Sequence, residues 1–168
     1  LAMFTKQTDR LVLRDFAKED GPFVLYLLNT PSWQRFIGDR GVRTLVDAER
    51  YIAGTLMSPY AQGLGMYLVE TRQSGEPVGM CGLVRRDYLS YPDIGFAFLP
   101  QHMGKGYAFE AASAVIAHAA EISMKRIHAI TLPGNVASIG LIEKLGLQFE
   151  ERRAISGETL SIYGKTLQ

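Results

Sequence analysis

A mixed α/β fold, with helices packed against one sheet that holds both antiparallel and parallel pairs, is what this sequence predicts. Three observations carry it. A stretch near the start of the chain alternates apolar and polar residues in period two, and two segments at its end read as a hairpin. Three apolar stretches follow one another closely between Gly65 and Leu99, each of strand length and separated by turn residues. A strand, a loop with two glycines and a long alanine-rich helix then come in direct succession.

Taken in order, Arg10 to Phe16 alternates in period two and reads as a half-buried strand. A short helix is expected from Glu19 or Asp20 to Leu28, with Pro22 in its first turn. Asn29-Thr30-Pro31 reads as a turn before an aromatic stretch from Trp33 to Ile37, and Gly38-Asp39-Arg40-Gly41 as a loop. Leu45 to Met57 fits a helix with Thr44 as its N-cap and Asp47 in its first turn, ended by Ser58-Pro59. Met66 to Glu70, Val78 to Arg85 and Asp93 to Leu99 are expected as antiparallel neighbours, the last apolar enough to be central. Ala108, Ala111, Ala112, Val115, Ile116 and Ala119 share one face of the long helix. A strand from Ile127 to Leu132 and a helix from Asn135 to Leu145, closed by Gly146, come next. Leu147 to Ile155 and Leu160 to Thr166 make a final hairpin. The expected order is β-α-α-β-β-β-α-β-α-β-β.

The 168 residues form one expected domain, long enough to bury a sizeable core without a metal or a disulfide. With 18 basic and 17 acidic residues the net charge is +1, which argues against a partner held mainly by phosphate charge, such as bulk nucleic acid. Cys81 is the only cysteine, so an internal disulfide is excluded and a reducing compartment expected. Neither a membrane span nor a signal-peptide pattern is present, and a cytoplasmic protein is expected. Leu1 and Ala2, ahead of Met3, are expected to be an addition to the natural start.

The glycine loop is the informative segment. A helix start leaves backbone N–H groups without intrahelical partners, and with the positive end of the helix dipole they attract anions. Gly104 and Gly106 let the backbone approach a phosphate closely, and successive amides there can form a nest. A plainer reading stands beside this one: the two glycines only make the turn into the helix. Other phosphate loops fit less well. Gly164-Lys165-Thr166 lacks the upstream glycine and the following helix of a nucleotide-triphosphate loop. Phe109 stands where a dinucleotide fingerprint needs a third small residue.

Phe96-Ala97-Phe98-Leu99-Pro100-Gln101-His102-Met103-Gly104-Lys105-Gly106-Tyr107-Ala108 resembles the acetyl-CoA motif of the GNAT superfamily of acyl-CoA N-acyltransferases. That motif reads Gln/Arg-x-x-Gly-x-Gly/Ala and falls here on Met103, Gly106 and Ala108. Asp9 to Arg14, Phe36-Ile37-Gly38-Asp39, Asn135-Val136-Ala137-Ser138 and Glu143 to Leu147 resemble the RimJ/RimL-type branch of ribosomal-protein N-terminal acetyltransferases. The ordered set spans nearly the whole chain. It implies a twisted mixed sheet of about seven strands, splayed at its centre and flanked by helices, with the cofactor in the gap.

The resemblance implies pantetheine contacts along the backbone of Phe96, Ala97 and Phe98, and a diphosphate on the amides of Met103, Gly104, Lys105, Gly106, Tyr107 and Ala108. Met103 departs from the usual Gln or Arg, which leaves an amide contact but no matching side chain. Asn135 and Ser138 match residues that contact the pantetheine arm and the thiol; capping the next helix is the plainer role for both. The tyrosine that many of these enzymes use as an acid is replaced by Ile142, and Ser138 matches the substitute of the Rim-like branch. Asp93 stands where related enzymes carry a glutamate that takes the amine's proton. It is one methylene shorter, which favours a water relay; its plainer role is to end the turn after Tyr91-Pro92.

The remaining candidates point elsewhere. His102, His118 and His128 lack metal-ligand spacing and no metal is expected. Cys81 reads as a small buried hydrophobe, and no Gly-x-Ser-x-Gly elbow supports a serine hydrolase. Trp33, Phe36, Tyr88 and Tyr91 could line an acceptor pocket or simply pack. The expected activity is acetyl transfer from acetyl-CoA to a primary amine, by direct attack in a ternary complex. The acceptor is either a protein N-terminal α-amine or a small-molecule amine, with the chain a monomer or homodimer. The alternative is a non-catalytic acyl-CoA-binding or sensing module on the same fold.

Overall fold

The structure is a computed structural model and describes residues 3–168; Leu1 and Ala2, the expected addition, lie outside them. The chain builds β1 (Thr5–Gln7), β2 (Leu11–Arg14), α1 (Gly21–Leu28), α2 (Pro31–Phe36), α3 (Leu45–Tyr51), β3 (Gly65–Thr71), β4 (Pro77–Val84) and β5 (Asp93–Phe98). There follow α4 (Tyr107–Glu121), β6 (Arg126–Thr131), α5 (Val136–Lys144), β7 (Gln148–Ile155) and β8 (Glu158–Thr166). One eight-stranded sheet has the order β1-β2-β3-β4-β5-β6-β8-β7, antiparallel throughout except for the parallel pair β5–β6.

Three differences from the sequence reading have local causes. The first of the eight strands, β1, is three residues of largely exposed polar chain at the sheet edge, with no apolar alternation to announce it. The aromatic stretch after Pro31 is helical: Thr30 accepts from the Trp33 N–H and Pro31 supplies a first position that needs no N–H. The helix begun at Leu45 has the expected Thr44 N-cap, which Asp47 completes as a capping box, but it widens into a π-helical turn over Ile52–Leu56 before Ser58.

The sheet is covered on both faces. On one side α4 and α5 lay Ala111, Ala112, Val115, Ala119 and Ile142 on Leu11, Leu13, Tyr67, Cys81, Ile94, Phe98 and Ile127. On the other, α1 to α3 lay Val24, Leu27, Leu28, Trp33 and Ala48 over Leu68, Met80, Met66 and Ala97. This alternation fixes which way each residue of β5 points. Ile94, Phe96 and Phe98 face α4, and Asp93, Gly95 and Ala97 face the α1–α3 layer.

The centre of the sheet tolerates no added bulk. A Cβ built on Gly82 of β4 would lie 2.0 Å from the Gly65 carbonyl oxygen and 2.7 Å from the Met66 Cα. Both are backbone atoms of the neighbouring strand and cannot swing aside. Gly82→Ala is therefore expected to cost about 3 kcal/mol, at the upper end of ordinary overpacking penalties. Urea denaturation of the two proteins measures it.

Candidate active site

Strands β5 and β6 share a single bridge. Asp93 pairs with His128, and the His128 N–H donates to the Pro92 carbonyl at 2.9 Å. The next rung would join Gly95 to Ile130, and the ladder does not contain it. Meanwhile β5 pairs with β4 along its whole length, and β6 does the same with β8. The two parallel strands thus meet at the start of β5 and part beyond it.

Backbone alternation decides what faces the gap. Leu99 donates its N–H to Val78 at 2.9 Å, so the odd-numbered residues Ala97 and Gly95 turn their N–H and C=O groups to β4. Phe96 and Phe98 turn theirs toward β6, where no ladder partner meets them. Of the three residues expected to offer backbone to a pantetheine arm, Phe96 and Phe98 have polar groups directed into the gap. Ala97 instead directs its backbone groups to Met80.

Beyond β5 a single 3-10 turn, Pro100–His102, leads into the glycine loop. Gly104 (φ +78°) and Gly106 (φ +82°) both adopt the left-handed conformation that favours glycine, and Gly106 is the N-cap of α4. The Met103 N–H is already bonded to the Pro100 carbonyl at 3.2 Å. Among the described residues, the N–H groups of Gly104, Lys105, Gly106, Tyr107 and Ala108 have no hydrogen-bond partner. No atom lies within 4 Å of a Cβ built on Gly104. A row of unpaired amides at the positive end of a 15-residue helix fits a diphosphate in charge and in shape. The Lys105 and Met103 side chains are exposed, Met103 at 52%.

The loop is held from outside by Arg10. Its Nη1 donates to the Lys105 carbonyl at 2.9 Å and its guanidinium lies 4.7 Å from the Tyr107 ring centre. Its Nε and backbone N–H each bond the Glu110 carboxylate at 2.8 Å, and the Thr8 hydroxyl donates to the same carboxylate. Burial pushes the Glu110 carboxyl up, but the bonds from Thr8 and Arg10 outweigh it and hold the carboxyl below its usual range. The turn between β1 and β2 is thereby tied to the first turn of α4.

At the closed end of the gap, Asp93 is 2% exposed and accepts from Arg86 Nε at 2.9 Å. Burial raises its pKa above the ordinary value, and Arg86 opposes that shift only in part. Asp93 faces the α1–α3 layer, as does His128 beside it, since Ile127 and Ala129 on either side of His128 point into the α4 core.

Because β5 and β6 are parallel, the segments that follow them emerge at the same end of the sheet. The glycine loop and the start of α5 therefore stand together at the open end of the gap. Asn135 caps α5, accepting from the Ser138 backbone N–H at 3.3 Å, which is the plainer role expected of Asn135; Ser138 enters this cap through its backbone. Ile142 is buried in the core. Trp33 packs in the core under α1–α3, while Tyr91 is half-buried with its ring centre 6.1 Å from that of His128. Cys81 is fully buried and burial pushes its thiol up. Among the described residues no cluster of three His, Cys, Asp or Glu could hold a metal, and no helix is long and apolar enough to cross a membrane.

Three residues of this region are not legible as site residues from sequence spacing: Arg10, Arg86 and His128. Arg10 meets Glu110 across 100 positions and His128 meets Asp93 only through strand pairing. Removing Arg86 would leave the Asp93 carboxylate buried alone. Arg86→Gln is expected to destabilise the fold by about 3 kcal/mol at pH 8. The loss should be smaller at pH 5, because the folded variant then keeps a proton on Asp93 that the unfolded chain has released. Urea titrations at the two pH values test the sign.

With the geometry in place, comparisons with known proteins agree with it. Residues 10–148 match the family model described as an acetyltransferase (GNAT) domain. YoaA of Bacillus subtilis (strain 168), named as an uncharacterized N-acetyltransferase, is 27% identical over 149 residues, covering 86% of this chain and 82% of its own. An acetyltransferase from Agrobacterium tumefaciens str. C58 superposes with a TM-score of 0.82 at 24% identity, covering 98% of this chain and 95% of that one. RimL, named as a ribosomal L7/L12 alpha-N-protein acetyltransferase in complex with coenzyme A, superposes with a TM-score of 0.82 at 17% identity, covering 98% of both chains. At these identities the superpositions show a shared fold alone.

Proposed function

This chain belongs to the acetyltransferase (GNAT) family, and on that premise we propose that it carries an acetyl group from acetyl-CoA to a primary amine within a ternary complex. The observation that supports this best is the continuity between the free backbone edge of β5 and the unpaired amides of the glycine loop. One runs into the other at the open end of the gap. A pantetheine arm hydrogen-bonded to Phe96 and Phe98 would place the diphosphate on the amides of Gly104 to Ala108. Ala97 would supply wall rather than hydrogen bonds, and Met103 contact surface only. Asn135 and Ser138 would line the opposite side, with the Ser138 hydroxyl in the role of proton donor to the departing thiolate.

The arm's other end would then lie toward the junction of the strands. Phe98 to Asp93 is five strand steps, roughly 17 Å, which suits an extended arm anchored at the loop. There Asp93 meets the chemical requirement for a base, since acetyl transfer needs a neutral amine. At pH 7 roughly one α-amine in ten is neutral, but fewer than about one lysine amine in a thousand. Asp93 is almost wholly enclosed and paired with Arg86, so it would act through an intermediary rather than by touching the amine. Positioning amine and thioester together would supply much of the remaining acceleration.

The acceptor we favour is a protein N-terminal α-amine. The RimJ/RimL-type motifs of the chain support it, and so does the likeness of its fold to RimL. Thiol release from acetyl-CoA, followed with a panel of α-amine peptides, lysine-containing peptides, polyamines and amino acids, tests the reading. Turnover with an α-amine peptide is the expected result. Tight acetyl-CoA binding with no turnover on any amine would favour the non-catalytic acyl-CoA-binding module. Asp93→Asn should lower kcat at neutral pH by about a hundredfold with little change in acetyl-CoA affinity. Gly106→Trp places a large side chain at a left-handed position beside Arg10 and should abolish acetyl-CoA binding by titration calorimetry. Normal affinity in that variant would remove the loop from the cofactor site.

A further inference from the structure

Resting on the acetyltransferase reading, the geometry points to His128 as the base that touches the acceptor amine, with its Nε2 as the receiving atom and the Tyr163 carbonyl and Glu150 carboxylate behind Nδ1. His128 sits on the one bridge between β5 and β6, directly opposite Asp93 and on the same face of the sheet. Its backbone is pinned by the N–H bond to Pro92. Its ring is about nine-tenths buried, and the orientation of that ring is fixed by what surrounds Nδ1.

Nδ1 lies 3.2 Å from the Tyr163 carbonyl oxygen and 3.4 Å from Glu150 Oε1. Both neighbours are acceptors, so Nδ1 carries the hydrogen. In a neutral ring that leaves the lone pair on Nε2. Nε2 has no hydrogen-bond partner among the described residues. Unlike both ring nitrogens of His102, it is not sealed from solvent. The tautomer is therefore set by β8 and β7, and the basic nitrogen is left free beside the junction toward which the gap directs a thioester.

The charged and titratable groups around the ring come from the β5, β6 and β7 sides. Asp93 with Arg86 stands on the β5 side, Arg126 on β6 itself, and Glu150, Glu151 and Arg153 on β7, with Tyr91 beyond the ring edge. Burial, aided by the Arg126 and Arg153 charges, lowers the His128 pKa, so the ring is neutral and ready to accept at pH 7. The transfer then balances simply. An ammonium N–H bond breaks as the Nε2–H bond forms. The freed lone pair makes the new N–C bond while the C–S bond breaks. The acetylated nitrogen gives up its second N–H proton, which reaches the thiolate by way of the Ser138 hydroxyl, and His128 returns the one it holds to solvent. The Glu150 carboxylate beside Nδ1 stabilises the imidazolium while it exists.

Two variants separate this role from a structural one. His128→Asn keeps a donor to the Tyr163 carbonyl but deletes Nε2; His128→Gln keeps a polar group near Nε2 without a base. With the amine that supports turnover by the unaltered chain, both should lose about a hundredfold in kcat/KM at pH 7. Acetyl-CoA affinity should hold, and the deficit should shrink toward unity as pH climbs past the amine's own pKa. A loss of equal size at every pH, or none, would overturn the proposal. In the unaltered chain, long-range proton–nitrogen NMR should find His128 protonated at Nδ1 and bare at Nε2 at pH 7. The opposite tautomer would overturn the proposal even if the variants fail to fold. Absence of turnover by the unaltered chain with every amine would instead defeat the acetyltransferase reading beneath it.

Discussion

One rung of hydrogen bonding governs this molecule. A sheet normally gains by pairing every backbone group along neighbouring strands, and here β5 and β6 forgo that after Asp93 and His128. Each strand has committed its other edge: six residues of β5 pair with β4, and six of β6 with β8. The unspent edge of β5 is the most informative surface in the structure. Buried or half-buried peptide groups without partners are costly, so an extended, amide-bearing ligand that supplies them recovers energy the fold has left unclaimed. A ligand read through the main chain in this way would need no polar side chain from Phe96 or Phe98.

The two ends of the gap present different chemical groups because different chain segments converge there. At the open end, two left-handed glycines and a helix start turn a row of N–H groups outward, and Arg10 clamps that turn by way of Lys105, Tyr107 and Glu110. The contact is between the turn joining β1 to β2 and the loop in mid-chain, so the row of N–H groups is stiffened by tertiary structure and not by the loop alone. At the closed end, Arg86, Asp93, His128 and Glu150 crowd around the single bridge. Burial lowers the His128 pKa and raises that of Asp93, so both residues of the bridge lean toward their neutral forms, with Arg86 opposing the shift at Asp93.

Much of this was legible in the residue pattern. Hydrophobic periodicity located the long elements, because β3, β4, β5 and α4 are specified by the two apolar cores they face. Paired glycines before an alanine-rich helix located the loop, since local backbone conformation is a property of the residues themselves. The short edge strand β1 and the π-helical turn of Ile52–Leu56 carry no such pattern: one is polar, and the other continues an apparently ordinary helix. The parting of the strands was implied by family resemblance, not by any feature of β5 or β6. Arg10, Arg86 and His128 acquire their meaning from pairings across the chain, and spacing along the sequence contains no trace of them.

On the proposed reading, coenzyme binds by completing the free edge of β5 and the amides that follow it. Backbone amide NMR shifts during titration of the chain with coenzyme A test it most directly. Large shifts at Phe96, Phe98 and the amides from Gly104 to Ala108, with much smaller ones at Gly95 and Ala97 on the β4 side, are the predicted pattern. Saturable binding that leaves Phe96 and Phe98 unmoved, or moves Gly95 and Ala97 instead, would contradict it.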